Sequence, residues 1–194
     1  MADRKYGNHE WESRWAKLEG DGELKWGPDP ELTPRGVDQA KEVHNAIVNF
    51  GDSFPRPTAY YASPLSRALD TLHIEWCHLL QDSRPVQVYE ELRETIGKNT
   101  CDKRSPRSEL QQRYPNVALN IAEADELWTS DREQRDEMRK RVYSALRRIW
   151  NDAQHDRGGC IFVNSYQHYC TWWRDPTFLR DTWPARRNAC WRYV

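Results

Sequence analysis

Residues 60–71 read YYASPLSRALDT, an apolar, β-prone run followed at once by a helical pattern. The β-prone run begins at Pro57, and apolar side chains beyond it recur at intervals of three and four residues, at Leu65, Leu69, Leu72, Trp76 and Leu80. That spacing is typical of a helix with one buried face. We therefore predict a strand over residues 57–62, with Ser63 and Pro64 as the N-cap and first residue of the helix that follows.

The segment before this strand has the pattern of another helix. Thr33 and Pro34 are the residue types preferred at an N-cap and a first helical position, and Gly51 is well placed to end the helix. The apolar stripe between them consists of Val37, Ala40, His44 and Ile47. This pattern predicts a helix that directly precedes the strand.

The segments after residue 80 continue the alternation of strand and helix. Residues 86–89 are a candidate strand, and residues 160–164 are an apolar run typical of a strand buried on both faces of a parallel sheet. Ser130 and Glu133 match a capping box. They predict a long helix over about residues 131–151, with an inward stripe of Met138, Val142, Leu146 and Ile149.

Alternating helices and strands predict an α/β domain. We expect the long helix to pack its apolar stripe against a mainly parallel sheet that contains Tyr60 and Phe162. A chain of 194 residues suits one domain over residues 1–194.

The charge balance limits the classes of partner. The 29 lysines and arginines nearly cancel the 30 aspartates and glutamates, so no overall positive field favours nucleic acid or an anionic membrane. No stretch reaches the roughly 18 apolar residues of a membrane span, and the first residues show no signal-peptide core. We expect a soluble, cytoplasmic protein without nucleic-acid or membrane partners, whereas a protein partner stays open.

The junction between the predicted strand and helix at Ser63 is a candidate anion site. A helix that begins at the carboxyl end of a strand points unpaired backbone N–H groups into a crevice. Arg67 lies in the first helical turn, where its guanidinium could clamp a phosphate beside those groups. The alternative is an ordinary surface arginine paired with Asp70 or Glu75.

Several blocks, in order, resemble the histidine phosphatase (phosphoglycerate mutase-like) superfamily. Residues 63–71 (SPLSRALDT) are similar to its second-arginine motif, residues 32–40 (LTPRGVDQA) to a helix start, and residues 92–94 (LRE) to its acid-bearing block. Residues 101–105, with residues 26–29, resemble a branch of small fungal-type members. The resemblance implies a three-layer α/β fold with a mainly parallel sheet flanked by helices.

The resemblance also implies a phosphate pocket. The family holds phosphate with two arginines and two histidines, one histidine attacks phosphorus, and a carboxylic acid protonates the leaving oxygen. Arg67 corresponds to the second arginine, with Ser63 beside it, and Glu94 corresponds to the acid. Lys103 and Arg104 either add positive charge for a phosphorylated substrate or are solvated loop residues.

The sequence departs from the family at both histidines. The family opens with a buried strand that leads into Arg-His-Gly, and this sequence contains no Arg-His-Gly. His9, in the segment that follows that motif, and His44, in a helical stripe, are poor substitutes. Since the first family strand lies inside the sheet, its absence predicts a gap, so that either another segment fills it or the domain is unstable.

The second family histidine is also unmatched. The family has SHG or SHS after its last strand, whereas residues 164–168 read NSYQH. Tyr166 takes the histidine position, and a neutral phenol cannot replace an imidazolium beside a developing oxyanion. His168, two residues on, is a weaker candidate.

No metal or other cofactor is predicted. The five cysteines include no Cys-x-x-Cys pair. His73 and Cys77 have the i, i+4 spacing of zinc ligands, with His78 nearby, but the spacing indicates no fourth ligand. Because His73 and Cys77 border the leucine stripe, packing in the core is the preferred interpretation.

Three functional hypotheses remain from the sequence. The first is a degenerate, non-catalytic member that binds phosphate, a phosphorylated small molecule or a protein partner. The second is a phosphomonoester hydrolase whose nucleophile segment is missing from the recorded sequence. The third is an enzyme with an altered pocket in a small-molecule pathway, with Tyr166, Glu94 or His168 as acid or base.

Overall fold

The computed structural model describes residues 5–53, 56–80, 85–155 and 160–164, with backbone only for residues 153–155 and 160–164. The helices are α1 (Asn8–Ser13), α2 (Pro34–Phe50), α3 (Ser66–Leu80), α4 (Arg107–Arg113) and α5 (Arg135–His155), and the strands are β1 (Pro57–Ala62), β2 (Val86–Val88), β3 (Val117–Leu119) and β4 (Cys160–Asn164). Within these residues, no helix combines the length and the apolar composition needed to cross a membrane.

The strands form one parallel sheet in the order β3-β2-β1-β4. Ala62 lies opposite both Val88 on β2 and Asn164 on β4. Each described strand pairs directly with the next, and the predicted gap stays a prediction. Parallel strands place their carboxyl ends at the same edge, so the segments that follow β1 and β2 meet there.

One face of the sheet packs against α2, α3 and α4. Tyr60 and Ala62 of β1 belong to this core together with Ile47 of α2 and the leucine and tryptophan stripe of α3. Trp76, the largest side chain in the stripe, is fully buried against the Tyr60 ring, with ring centroids 5.6 Å apart. The stripe that the sequence predicts for α3 is thus confirmed as its buried face.

The opposite face packs against α5, which completes three layers. Tyr61, one residue from Tyr60, points to this face because successive strand residues alternate. Ala145 and Ile149 of α5 are buried there, and Val142 is buried too. The predicted stripe lies inward, but Met138 and Leu146 are only half-buried. The α/β assignment with a mainly parallel sheet is confirmed.

The two predicted helix starts differ in outcome. The Thr33 hydroxyl accepts a hydrogen bond from the Gly36 N–H at 3.1 Å, and α2 ends at Gly51 with φ of 56°, both as predicted. The capping box at Ser130 and Glu133 is wrong, since α5 begins at Arg135. The helix start lies four residues later than predicted, where the Glu137 carboxylate accepts a hydrogen bond from the Gln134 N–H at 3.1 Å.

An aromatic cluster orders the N-terminal segment. Tyr6 stacks on Trp15 with centroids 4.2 Å apart, and the Trp26 indole contacts Trp11 and Trp15 edge-on. These rings pack against one another within the segment that ends at Asp29. Asp29 in turn contacts Ser66 at the start of α3. The N-terminal segment therefore supplies a side chain at the carboxyl edge of the sheet.

Candidate active site

Arg67 lies in the first turn of α3 and contacts the segment that follows β2. Its guanidinium donates to Glu94 Oε2 at 3.1 Å, to the Cys101 carbonyl at 2.8 Å and to Asp102 Oδ1 at 3.4 Å. Asp70, one of the two alternative partners considered for Arg67, pairs with Arg113. The structure thus brings together Arg67 and Glu94, which the sequence resemblance singles out.

Asp102 and Arg132 complete a group that we call the Arg67 cluster: Arg67, Glu94, Asp102 and Arg132. Asp102 is almost fully buried and also accepts a hydrogen bond from Arg132, which donates to the Gly97 carbonyl at 2.9 Å. Sequence reasoning missed both residues. Asp102 lies in the block at residues 101–105 that carries the fungal-type resemblance, whereas no local pattern indicates Arg132.

Glu94 has an altered acidity in this cluster. Burial is the largest effect and the nearby Asp102 charge adds to it, so the pKa of Glu94 rises to about 7. The positive charges of Arg67 and Arg132 oppose the rise without cancelling it. A carboxyl group with this pKa holds its proton for a substantial fraction of the time at neutral pH, as a general acid requires.

Cys101, which precedes Asp102, is a potential nucleophile beside this cluster, but its environment suppresses its reactivity. Burial, reinforced by the Asp102 charge, raises the pKa of the Cys101 thiol to about 12. The thiolate is the reactive form of cysteine, so this thiol stays inert at neutral pH. Cys101 therefore contributes its backbone carbonyl to Arg67 rather than a nucleophile.

The start of α3 is already occupied by a carboxylate of the chain. Asp29 Oδ1 accepts from the Ser66 N–H at 2.8 Å, and Asp29 Oδ2 accepts from the Ser66 hydroxyl at 2.8 Å and the Ser105 N–H at 3.0 Å. The prediction of Ser63 as N-cap is wrong, because α3 begins at Ser66. Ser63 is buried, and its hydroxyl accepts from the Leu65 N–H at 3.4 Å.

Arg104, predicted either as a substrate contact or as a solvated loop charge, is buried with a relative exposure of 3%. All five of its N–H donors are used, by the Glu90 carboxylate and by four backbone carbonyls, those of Ser105, Ala122, Glu123 and Ala124. These contacts make Arg104 a brace between two loops. Lys103 is exposed, with its ammonium 5.2 Å from the Trp128 ring centre.

Two further arginines fix the backbone around Glu94. Arg141 of α5 donates to the carbonyls of Glu91, Arg93 and Glu94 at 2.9 to 3.0 Å. Arg93 is fully buried and forms a bidentate pair with Asp125, both contacts at 2.7 Å. Sequence reasoning identified neither role. Rigid support of this kind holds a functional side chain in position.

Tyr166 and His168, the predicted candidates for the second histidine, lie outside the described residues. His9 is an exposed residue of α1. His44 contacts α3, with its Nδ1 atom 3.1 Å from the Glu75 carbonyl oxygen. Of the predicted site residues, the described part of the chain thus contains Ser63, Arg67, Glu94, Lys103 and Arg104.

Comparison with known proteins identifies the family of the chain. The profile of the histidine phosphatase superfamily (branch 1) matches residues 7–169. Among curated proteins, a probable phosphoglycerate mutase of Arthroderma benhamiae is 35% identical over 173 residues, which are 86% of this chain and 50% of that protein. The probable phosphoglycerate mutase PMU1 of Saccharomyces cerevisiae is 30% identical over 175 residues, or 78% of this chain and 59% of that protein.

A solved structure shares the fold. The ecdysone phosphate phosphatase from Bombix mori, in complex with tungstate, superposes with a TM-score of 0.53 at 24% identity, covering 71% of this chain and 52% of that one. The chain spans between half and three fifths of the length of the two curated relatives. On the profile match and these identities, the chain belongs to the histidine phosphatase superfamily, branch 1.

Proposed function

We propose that the Arg67 cluster is the arginine and acid end of a histidine phosphatase pocket, and that the 194-residue chain alone binds phosphate weakly without hydrolysing phosphate esters. The observation that carries the proposal is the contact between Arg67 and Glu94 at 3.1 Å, with Glu94 mostly buried and its pKa raised to about 7. Arg67 supplies a planar, permanently charged fork that suits an oxyanion. Glu94 supplies a proton that a leaving oxygen can accept.

The contacts of Arg67 limit the affinity. Glu94 and Asp102 share the Arg67 guanidinium, and Asp29 occupies the N-terminus of α3. An incoming anion therefore gains chiefly one charge-assisted contact, worth about 1.5 to 3 kcal/mol. That free energy corresponds to a dissociation constant of roughly 10 to 100 mM. A pocket with a second arginine and two histidines on the same oxygens would bind more tightly.

Thermal unfolding in increasing phosphate, at constant ionic strength, tests this proposal. Binding to the folded state raises the midpoint temperature by mass action, so the parent chain should be stabilised only at about 10 mM phosphate or above. Arg67→Ala should lose the stabilisation. Arg139→Ala, which removes an exposed arginine from α5, should keep it. Equal stabilisation of the parent and Arg67→Ala by phosphate would contradict the proposal.

A second candidate is the phosphomonoester chemistry of a longer protein. It is favoured by one observation, that the chain matches only 50% and 59% of two relatives named as probable phosphoglycerate mutases. In such a protein an Arg-His-Gly segment, which this sequence lacks, would supply the nucleophile to the same cluster. The nucleotide sequence upstream of Met1 tests it. An open frame that encodes an apolar strand and Arg-His-Gly would support this candidate, and a stop codon in that frame, with no splice acceptor, would reject it.

A further inference from the structure

Three potential metal ligands meet where α2 packs against α3. His44 comes from α2, and Cys77 and His78 are neighbours near the end of α3. One ligand atom from each residue lies within 4.8 Å of the other two. The Cys77 Sγ is 3.9 Å from His44 Nδ1, and the two imidazole rings have centroids 4.9 Å apart. Two helices therefore converge three nitrogen and sulfur donors on one point.

These separations are close to those of a formed zinc site. Zinc bonds of about 2.0 to 2.3 Å in tetrahedral geometry place ligand atoms roughly 3.3 to 3.8 Å apart. The ligand atoms must move closer by a few tenths of an ångström to about 1 Å. Side-chain rotation can supply this movement, because Cys77 and His78 are both exposed. The backbone of the two helices needs no rearrangement.

The chemistry of the donors selects the metal. One thiolate with two imidazoles is a borderline-soft set that suits zinc, and it does not suit magnesium or calcium, which prefer oxygen ligands. The Cys77 thiol loses its proton to solvent when its sulfur binds the metal, so each zinc ion displaces one proton. Three protein ligands leave a fourth position for water.

Arg56 is a cationic group that lies near His78. Arg56 opposes a cation, but its guanidinium pairs with Asp52 at 2.7 Å. The Glu75 carbonyl contacts His44 Nδ1 at 3.1 Å, so Nδ1 binds the metal only if this contact is released, and His44 otherwise binds through Nε2.

We propose that His44, Cys77 and His78 form a zinc site that joins α2 to α3. Cys77 lies ten residues after Arg67 on α3, or about 15 Å along the helix, so this site is separate from the Arg67 cluster and independent of the proposed function. The sequence pattern had grouped His73 with Cys77. His73 instead contacts the Leu69 carbonyl at 2.8 Å and packs its ring on Tyr114.

Cobalt titration of the metal-free full chain tests the site. The parent should bind one Co²⁺ per chain and show the near-ultraviolet charge-transfer band of a cobalt–thiolate bond, and Zn²⁺ should displace the cobalt. Cys77→Ser should abolish the band, and His78→Gln should weaken metal binding at least about tenfold. His73→Gln is the matched control from the same helix and should stay within about twofold of the parent.

Two measurements keep the test decisive. Circular dichroism would check that Cys77→Ser and His78→Gln fold, as expected from their exposed positions. The test therefore needs no variant of His44, which is less exposed. Zinc should raise the midpoint temperature of the parent and not that of Cys77→Ser. An unchanged thiolate band in Cys77→Ser would place the metal on another cysteine and overturn the proposal, as would the absence of any thiolate band in the parent.

Discussion

The Asp29 carboxylate caps the helix that carries Arg67, accepting a hydrogen bond from the Ser66 N–H at 2.8 Å. It also accepts from the Ser66 hydroxyl and from the Ser105 N–H. One buried side chain thus joins the N-terminal segment, the start of α3 and the loop after Asp102. Asp29 adopts a positive φ of 46°, which aspartate and asparagine tolerate better than other residues with a Cβ.

Replacement of this cap should destabilise the fold. Asp29→Ala removes the acceptor for three hydrogen bonds and places alanine at a positive φ, so we expect a loss of about 2 to 4 kcal/mol in the free energy of unfolding. Asp29→Asn keeps one acceptor oxygen and the backbone preference, and should lose clearly less. Urea unfolding of the three proteins measures both. A loss below about 0.5 kcal/mol in Asp29→Ala would contradict the capping role.

Arg104 provides a test of buried support against surface charge. Arg104→Met would leave the Glu90 carboxylate and four carbonyls without this donor, so we expect a loss of about 3 to 5 kcal/mol. Its neighbour Lys103 is exposed, and Lys103→Met should change the stability by about 1 kcal/mol or less. Similar small effects from both substitutions would restore the solvated-loop interpretation.

Much of the fold could be predicted because its signals are local. Thr33 caps α2 through Gly36, three residues away, and the stripe of α3 repeats within one helix. The cap of α3 could not be predicted in this way, since Asp29 is 37 residues from Ser66. The same reasoning grouped Cys77 with His73, and only the packing of α2 on α3 brings His44, 33 residues away, to the Cys77 thiol.

The candidate site divides in a similar manner. Arg67 and Glu94 were identified through short motifs that the family shares, and the parallel sheet brings them together. Arg104 carries the same charge as a substrate contact, and only its burial shows that its donors are used internally. Arg132 reaches Asp102 from 30 residues away, without any local pattern to indicate it.

Glu75 should make stability depend on pH. Burial raises its pKa from 4.5 to about 7 in the folded protein. The stability that the protonated form provides is therefore fully present below about pH 4.5 and is lost as the pH rises through 7. The contribution is at most about 3 kcal/mol. Glu75→Gln should therefore gain stability relative to the parent between about pH 5 and pH 8.

Chemical unfolding at several pH values measures this difference directly. Glu94 shifts in the same direction, so Glu94→Gln should show a similar gain, and the two gains should be separable in the double variant. If the difference between Glu75→Gln and the parent stayed constant over this range, Glu75 would titrate normally in the folded protein.

The 194-residue chain alone should not turn over a phosphate ester. Cys101 stays protonated beside Arg67, and no Arg-His-Gly supplies a histidine nucleophile in this sequence. Hydrolysis of p-nitrophenyl phosphate by the parent should therefore equal that of Glu94→Gln. Turnover that disappears in Glu94→Gln would show that another group acts as the nucleophile.

The central prediction follows from the ion pair between Arg67 and Glu94. A phosphate-like anion and an ionised Glu94 compete for the same guanidinium, so binding should require a protonated Glu94. With a pKa of about 7 for Glu94, that requirement weakens binding about tenfold near pH 8, one pH unit above this value, and little near pH 6.

The most direct measurement is the affinity of Glu94→Gln and of the parent for tungstate at these two pH values, at constant ionic strength. Tungstate is the oxyanion present with the Bombix mori phosphatase. We predict that Glu94→Gln binds about tenfold more tightly than the parent near pH 8, that the two converge near pH 6, and that Arg67→Ala binds weakly at both. Weaker binding by Glu94→Gln than by the parent near pH 8 would contradict the account.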